Sequence, residues 1–176
     1  IEVDKADGSG AKLGTFHTLR QQEEREDATY YAMSDFIAPK DSGKTDYIGA
    51  FAVSAGFACE DVCAKLRSQN DDYKGIMMEA VADRLAEAFA EVLHLKMRTE
   101  LWGYAPDEKL TPDDMLKTKY QGIRPAPGYP TQPDHTEKSF MWELLKADEE
   151  VGIVLTDSLA MLPAASVSAL CFANEC

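Results

Sequence analysis

An α+β fold is predicted for this chain of 176 residues, a twisted antiparallel β-sheet set with one long helix and several shorter ones. Three observations predict it. Residues 15–19, 30–37 and 46–54 are short apolar or alternating stretches joined by short polar connections, which favours antiparallel strands. Residues 72–102 carry apolar side chains three or four apart, the period of a helix with one apolar face. Residues 123–133 hold four prolines and one glycine, a run that can be neither helix nor central strand because proline fixes φ and lacks an N–H.

Each element follows in order. Residues 1–12 are polar and rich in Gly, and read as a loop or frayed segment. Residues 15–19 alternate apolar and polar, and the charged run 20–27 reads as a solvated turn or short helix. Residues 30–37 form a second strand candidate, stopped by Pro39 and the turn residues Asp41, Ser42 and Gly43. Residues 46–54 are the clearest strand, ending before Gly56. Residues 60–69 read as helix, and Asn70 or Asp71 can cap the helix that follows. That helix would turn Tyr73, Met77, Val81, Leu85, Ala88, Val92 and Leu101 to the core, with Gly103 as its stop. Thr111-Pro112 opens a short helix to about residue 119, with Pro at the first helical position. A further helix starts at Thr136 and Glu137 and runs to about residue 150. Residues 155–161 and 166–172 read as strands around Pro163.

Composition narrows the function. Hydrophobic residues make up 45% of the chain, enough for a folded core. Its length fits a single domain spanning 1–176. The net charge of −13 argues against a nucleic-acid partner, since such affinity rests on Lys and Arg meeting phosphates. No apolar run reaches the roughly 18 residues of a membrane span, and no signal-peptide pattern opens the chain. The four cysteines, Cys59, Cys63, Cys171 and Cys176, lack the spacing of a disulfide scaffold or a zinc site. They read as free thiols in a reducing, cytoplasmic compartment. The first residues, Ile1-Glu-Val-Asp-Lys5, and the close of the chain just after an apolar run suggest a fragment.

The proline run carries the chemistry. Arg124 offers a planar fork of donors suited to a carboxylate or phosphate, and Gly128 lets another molecule come close to the main chain. The loop therefore suits a ligand, while an ordinary connection stays open as the alternative. Arg124-Pro-Ala-Pro127-Gly-Tyr-Pro130 also satisfies a proline-rich peptide pattern read by aromatic grooves, but such ligands usually sit in flexible tails rather than between two predicted helices. On the long helix, Asp83, Glu87, Glu91, His94 and Arg98 lie four, four, three and four residues apart and share a stripe. A solvated, ion-paired stripe is one reading, and a face in which Glu87 meets a cationic group is the other. Glu91-Val-Leu-His94 is half of a di-iron motif, but His17 and His135 have no Glu three residues before them, so that reading fails. No Ser-His-Asp order, phosphate loop or dinucleotide fingerprint is present, and no protein nucleophile or general base stands out.

The same loop, Arg124-Pro-Ala-Pro-Gly-Tyr-Pro130, resembles the S-adenosylmethionine-binding signature of the activation domain of cobalamin-dependent methionine synthase. The resemblance extends in order through Leu19-Arg-Gln-Gln22, Ser34-Asp-Phe-Ile-Ala-Pro39, Asp46-Tyr-Ile-Gly-Ala-Phe-Ala-Val53 and Ala82-Asp-Arg-Leu-Ala-Glu-Ala-Phe-Ala-Glu91. It continues through Trp102-Gly-Tyr-Ala-Pro106, Tyr120-Gln-Gly-Ile123, Asp134-His-Thr-Glu-Lys138 and Leu159-Ala-Met161. It implies a role in methionine biosynthesis as part of a methyltransferase that moves a methyl group from methyltetrahydrofolate to homocysteine. The domain would present S-adenosylmethionine to oxidised cobalamin while flavodoxin or another flavoprotein reductase supplies an electron. Its partners would be the cobalamin-binding domain of the same polypeptide and that reductase, and cobalamin and zinc would belong to other domains. The protein's own task would be alignment of donor and acceptor.

Site residues follow from the resemblance alone. Arg124 would pair with the methionyl carboxylate. Ala126 and Gly128 would offer main-chain contacts to the adenosyl portion, Tyr129 would set its ring beside the ligand, and Glu87 matches an acidic position near the site. The family domain is longer at both ends, where it supplies an aspartate and a tyrosine-bearing segment. The resemblance therefore implies an activation domain truncated at both ends, with weak or undetectable donor binding by this chain alone. A docking module for the cobalamin domain or reductase, without ligand binding of its own, is the alternative.

Overall fold

The computed structural model describes residues 1–24 and 29–174. Part of the charged run 20–27, and Cys176, lie outside the described residues. The fold class is α+β. In chain order, β1 (Glu2–Asp4) pairs antiparallel with β2 (Lys12–Thr15), with Val3 opposite Gly14. Two 3₁₀ turns follow, Met33–Phe36 and Lys40–Ser42, and then β3 (Gly49–Ser54). The helices α1 (Cys59–Ser68) and α2 (Asp72–Lys96) come next, with α2 running into a π-helical turn at Met97–Leu101. After them stand α3 (Pro112–Leu116), α4 (Lys138–Leu145) and α5 (Ala147–Val151). The short strands β4 (Val154–Leu155) and β5 (Met161–Leu162) pair antiparallel, and β6 (Ser166–Cys171) hydrogen-bonds to β3.

Strand order departs from the simplest reading of the sequence. Three consecutive strands were expected to pair as neighbours, yet β3 pairs with β6 near the other end of the chain. Residues 1–12, expected as loop, supply β1 and the start of β2, and the strand expected at 15–19 ends at Thr15. The segment 30–37 is not a strand. Asp35 accepts the Ala32 N–H at 2.9 Å and both Nη atoms of Arg20 at 2.5 and 2.7 Å, and a short polar side chain bonded to nearby backbone competes with a strand ladder. The expected strand at 155–161 closes into a turn, with the Thr156 N–H donating to Ala160 C=O at 2.9 Å and the Ala160 N–H donating to Thr156 Oγ1 at 3.0 Å.

Helix ends follow local chemistry. Asp71 caps α2 by accepting the Lys74 N–H at 3.2 Å, while Asn70 takes the left-handed turn at φ 58°. Gly103, at φ 73°, ends the π turn, and Thr111 and Asp114 form a capping box around Pro112 in α3. The helix expected over 136–150 is broken at Lys146, which sits at φ 50° between α4 and α5.

The chain divides into two compact units. The first comprises residues 1–50, 121–144 and 169–176. Its core holds Phe16, Met33, Met141, Trp142, Leu170 and Phe172, all buried. Phe16 packs on Phe140 at 4.7 Å between ring centroids, and a Cβ at Gly14 would stand 2.4 Å from the Phe140 ring, so any larger residue there would push that ring aside.

The second unit comprises residues 51–120 and 145–168. Phe51, Val53, Ile153 and Ala165 are buried, and α1 folds back on α2. Here the expected apolar face of α2 is corrected. Tyr73, Met77, Val81, Leu85 and Val92 are exposed, as are Ala88 and Leu101. The buried ridge is Ala82, Ala86, Ala90, His94 and Arg98, spaced by four, with Gly75 and Met97. Small side chains allow close helix approach, and a period of three to four describes both faces equally well, so size decides which one is covered.

The stripe of charged residues is corrected too. Asp83 and Glu87 are exposed, but His94 and Arg98 are fully buried. The segment after α2 returns over this end of the stripe. Arg98 Nε and Nη2 donate to the two Glu108 carboxylate oxygens at 2.8 and 2.7 Å. Arg98 Nη1 lies 2.8 Å from His94 Nδ1; guanidinium can only donate, so Nδ1 accepts and the imidazole proton sits on Nε2. The Tyr120 ring lies 4.3 Å from the Arg98 guanidinium carbon and edge-on to His94 at 5.0 Å.

Candidate functional site

The proline run lies in the first unit and is tied down at both ends. Ile123 and Phe172 exchange N–H···O=C bonds at 2.9 and 3.0 Å, and the Leu170 N–H donates to Pro125 C=O at 3.0 Å. At the far end the Gln132 N–H donates to Tyr129 C=O at 2.8 Å, with Pro130 and Thr131 between them. Pro at the second place of such a turn presets its φ. The Gly128 N–H donates to Gln132 C=O at 2.8 Å, closing a small loop. Between these anchors the main chain of Ala126 has no backbone partner among the described residues.

Each expected site residue has a definite place. Arg124 is half-buried next to the Ile123–Phe172 bridge, and Pro127 is buried beneath the turn. Gly128 is exposed at φ 100°, a conformation that disfavours any side chain. A Cβ there would also stand 3.0 Å from His135 Cε1. Because the Gly128 N–H is engaged within the loop, its carbonyl is the main-chain group left for a ligand. Tyr129 is exposed. Arg124, Ala126, Gly128 and Tyr129 come together on one loop; Glu87 stands on α2 in the second unit, exposed.

Several neighbours were not singled out as site residues from the sequence. His135 packs against Gly128, so it forms one wall of the loop. Asp134 holds the next turn by accepting the Thr136 N–H at 2.8 Å and the Thr136 hydroxyl, and these bonds lower its pKa. Glu137 accepts the His17 N–H at 3.0 Å, and Lys138, at the start of α4, is buried, which lowers the pKa of its amine. Gln132 is buried, and neither atom of its carboxamide has a hydrogen-bond partner among the described residues. The block Asp134-His-Thr-Glu-Lys138 carried a resemblance in the sequence, but its placement against Gly128 depends on the turn that Pro130 sets.

Against known families, the model described as the activation domain of vitamin B12 dependent methionine synthase matches residues 1–176. The chain belongs to this family. Among solved structures, the activation domain here is similar to one titled "Crystal Structure of the MetH Reactivation Domain bound to AdoHcy". The two share 48% identity with a TM-score of 0.92, over 98% of this chain and 53% of that one. This activation-domain chain thus spans about half the length of that solved relative. Among the described residues, no helix is long and apolar enough to cross a membrane.

Proposed function

We propose that this chain serves a reactivation domain by holding S-adenosylmethionine on the loop 123–133, in support of cobalamin methylation within a methionine synthase. The observation that carries the reading is the strapped loop itself. It carries Arg124, the Ala126 main chain, the Gly128 carbonyl and Tyr129 on one loop held by main-chain hydrogen bonds, in a chain that is 48% identical to a domain bound to AdoHcy. The residues fit such a ligand. Arg124 would pair with the carboxylate of the methionyl portion, a charge-assisted contact worth roughly 1.5–3 kcal/mol. The conformation of Gly128 leaves its surface open where a side chain would crowd His135. Tyr129 offers an aromatic face to a sulfonium cation.

When bound, the ligand supplies an electrophilic methyl group; the chain's own residues bind and orient it. The whole protein's reaction, with methyltetrahydrofolate as donor and homocysteine as acceptor, and its partners, the cobalamin domain of the same polypeptide and flavodoxin or another flavoprotein reductase, belong to the same proposal. So does a cytoplasmic setting. Binding by these 176 residues alone is expected to be weaker than micromolar, because the matched region is 53% of the solved relative.

Ultraviolet cross-linking of radiolabelled S-adenosylmethionine, followed by peptide mapping, tests this. The expected result is label on the tryptic peptide spanning residues 120–138, lost in Arg124→Ala while circular dichroism is unchanged. Label that is absent or spread over the chain would favour a docking module instead, and label retained in Arg124→Ala would overturn the role given to Arg124.

A further inference from the structure

The pair Cys59 and Cys63 takes no part in the site above. Cys59 opens α1 and is partly exposed, while Cys63, one turn on, is buried and donates its S–H to Gly75 C=O at 3.5 Å at the start of α2. Their sulfurs lie 3.7 Å apart. Two ways of joining them need different geometry. A disulfide requires Cβ atoms about 3.5–4.5 Å apart, whereas residues four apart on a helix hold theirs at about 5–6 Å. Oxidation would therefore have to unwind the first turn of α1. A single soft atom with sulfur bonds near the zinc–thiolate length of about 2.3 Å, at an angle of about 100–110°, spans two sulfurs about 3.5–3.8 Å apart. The observed spacing meets that requirement with the helix intact.

The choice of atom follows from what surrounds the pair. A structural zinc ion needs four protein ligands, and among the described residues no group of three or more His, Cys, Asp or Glu side chains is gathered for a metal. A trivalent centre that carries its own organic substituent needs only two sulfurs. We propose that Cys59 and Cys63 form a two-thiol clamp for monosubstituted trivalent arsenicals, bridging successive turns of α1. The chemistry balances without an oxidant. An arylarsine oxide and two thiols form two As–S bonds and break the As–O bond, and the oxygen leaves with both thiol protons as water. Arsenic stays trivalent. Burial, followed by the contact with Cys63, raises the pKa of Cys59 and keeps it as the thiol that this condensation consumes. Cys59 is the point of capture and Cys63 closes the ring, with a chelate advantage over one thiol of about 100-fold or more.

The test uses the 176-residue chain with phenylarsine oxide, read by intact-mass spectrometry and peptide mapping. The expected product is a 1:1 adduct, with loss of one water, on the peptide containing Cys59 and Cys63. It should survive an excess of a monothiol, be stripped by 1,2-ethanedithiol, and weaken at least about 100-fold in both Cys59→Ser and Cys63→Ser. Cys59→Ser changes the partly exposed position, so it keeps the test valid if Cys63→Ser fails to fold. An adduct on Cys171 or Cys176, removal from the unmodified chain by monothiol, or an undiminished adduct in Cys59→Ser would overturn the proposal.

Discussion

Removing the Glu108 carboxylate is expected to destabilise the second unit far more than loss of an ordinary surface ion pair. Arg98 is fully buried, its side chain has no exposure and that of Glu108 is 7% exposed, and two parallel bonds of 2.7 and 2.8 Å join them. Breaking a buried pair from one side leaves an uncompensated charge and costs about 3–5 kcal/mol, against about 0–1 kcal/mol for an exposed pair. Arg98 would keep its contacts to His94 Nδ1 and the Tyr120 ring, but neither is an anion. Glu108→Ala should therefore lower stability by about 3–5 kcal/mol, a fall in Tm of about 6–20 °C for a chain of this size. Urea unfolding followed by helix ellipticity and by Trp fluorescence measures it. The double replacement Arg98→Met with Glu108→Leu should recover most of the loss, since apolar side chains leave no stranded charge. A loss below about 1 kcal/mol in Glu108→Ala would instead mark the pair as solvated, since that is the range of an exposed ion pair.

Further outcomes follow for the first unit. The Arg20 guanidinium, then the Ala32 N–H, holds the Asp35 carboxyl at about 2. Its folded pKa lies below the unfolded value of about 3.9, so its contribution is complete above about pH 4 and lost as pH falls towards 2. A ¹³C carboxyl NMR titration should show this, and an unchanged midpoint in Arg20→Gln would contradict the assignment. Gly128→Ala should cost about 1–2 kcal/mol through its left-handed backbone, read by thermal melting, with an unaltered melt as the contrary result. Gln132→Met should raise the melting temperature by relieving an unpaired buried carboxamide, a penalty of about 1–3 kcal/mol, and a lowered melt would mean that the carboxamide is satisfied.

The parts legible in the sequence are those fixed by neighbours along the chain. Asp71, Gly103 and Thr111-Pro112 mark helix ends because caps and stops act over a few residues. The loop at Arg124–Tyr129 was legible for the same reason, since Pro and Gly restrict their own backbone. What escaped depended on distant partners. Nothing near residue 98 announces that Glu108 will reach it, and nothing near Ser54 announces Ala165, whose carbonyl accepts the Ser54 hydroxyl across 111 residues. The orientation of α2 failed for a different reason. The larger apolar residues spaced as a core face lie exposed, and the ridge Ala82, Ala86 and Ala90 is the buried one. A four-residue spacing of small side chains continuing into His94 and Arg98 was the available signal.

In the proposed function, the loop 123–133 holds the adenosyl ligand through Arg124. The most direct measurement is a ¹H–¹⁵N NMR titration of the labelled chain with S-adenosylhomocysteine, which detects binding weaker than micromolar. Saturable shifts are expected at the Ala126, Gly128, Tyr129 and His135 amides, with small shifts in α1 and loss of the loop shifts in Arg124→Ala while the remaining spectrum is preserved. Shifts confined to other segments, or an identical response in Arg124→Ala, would contradict it.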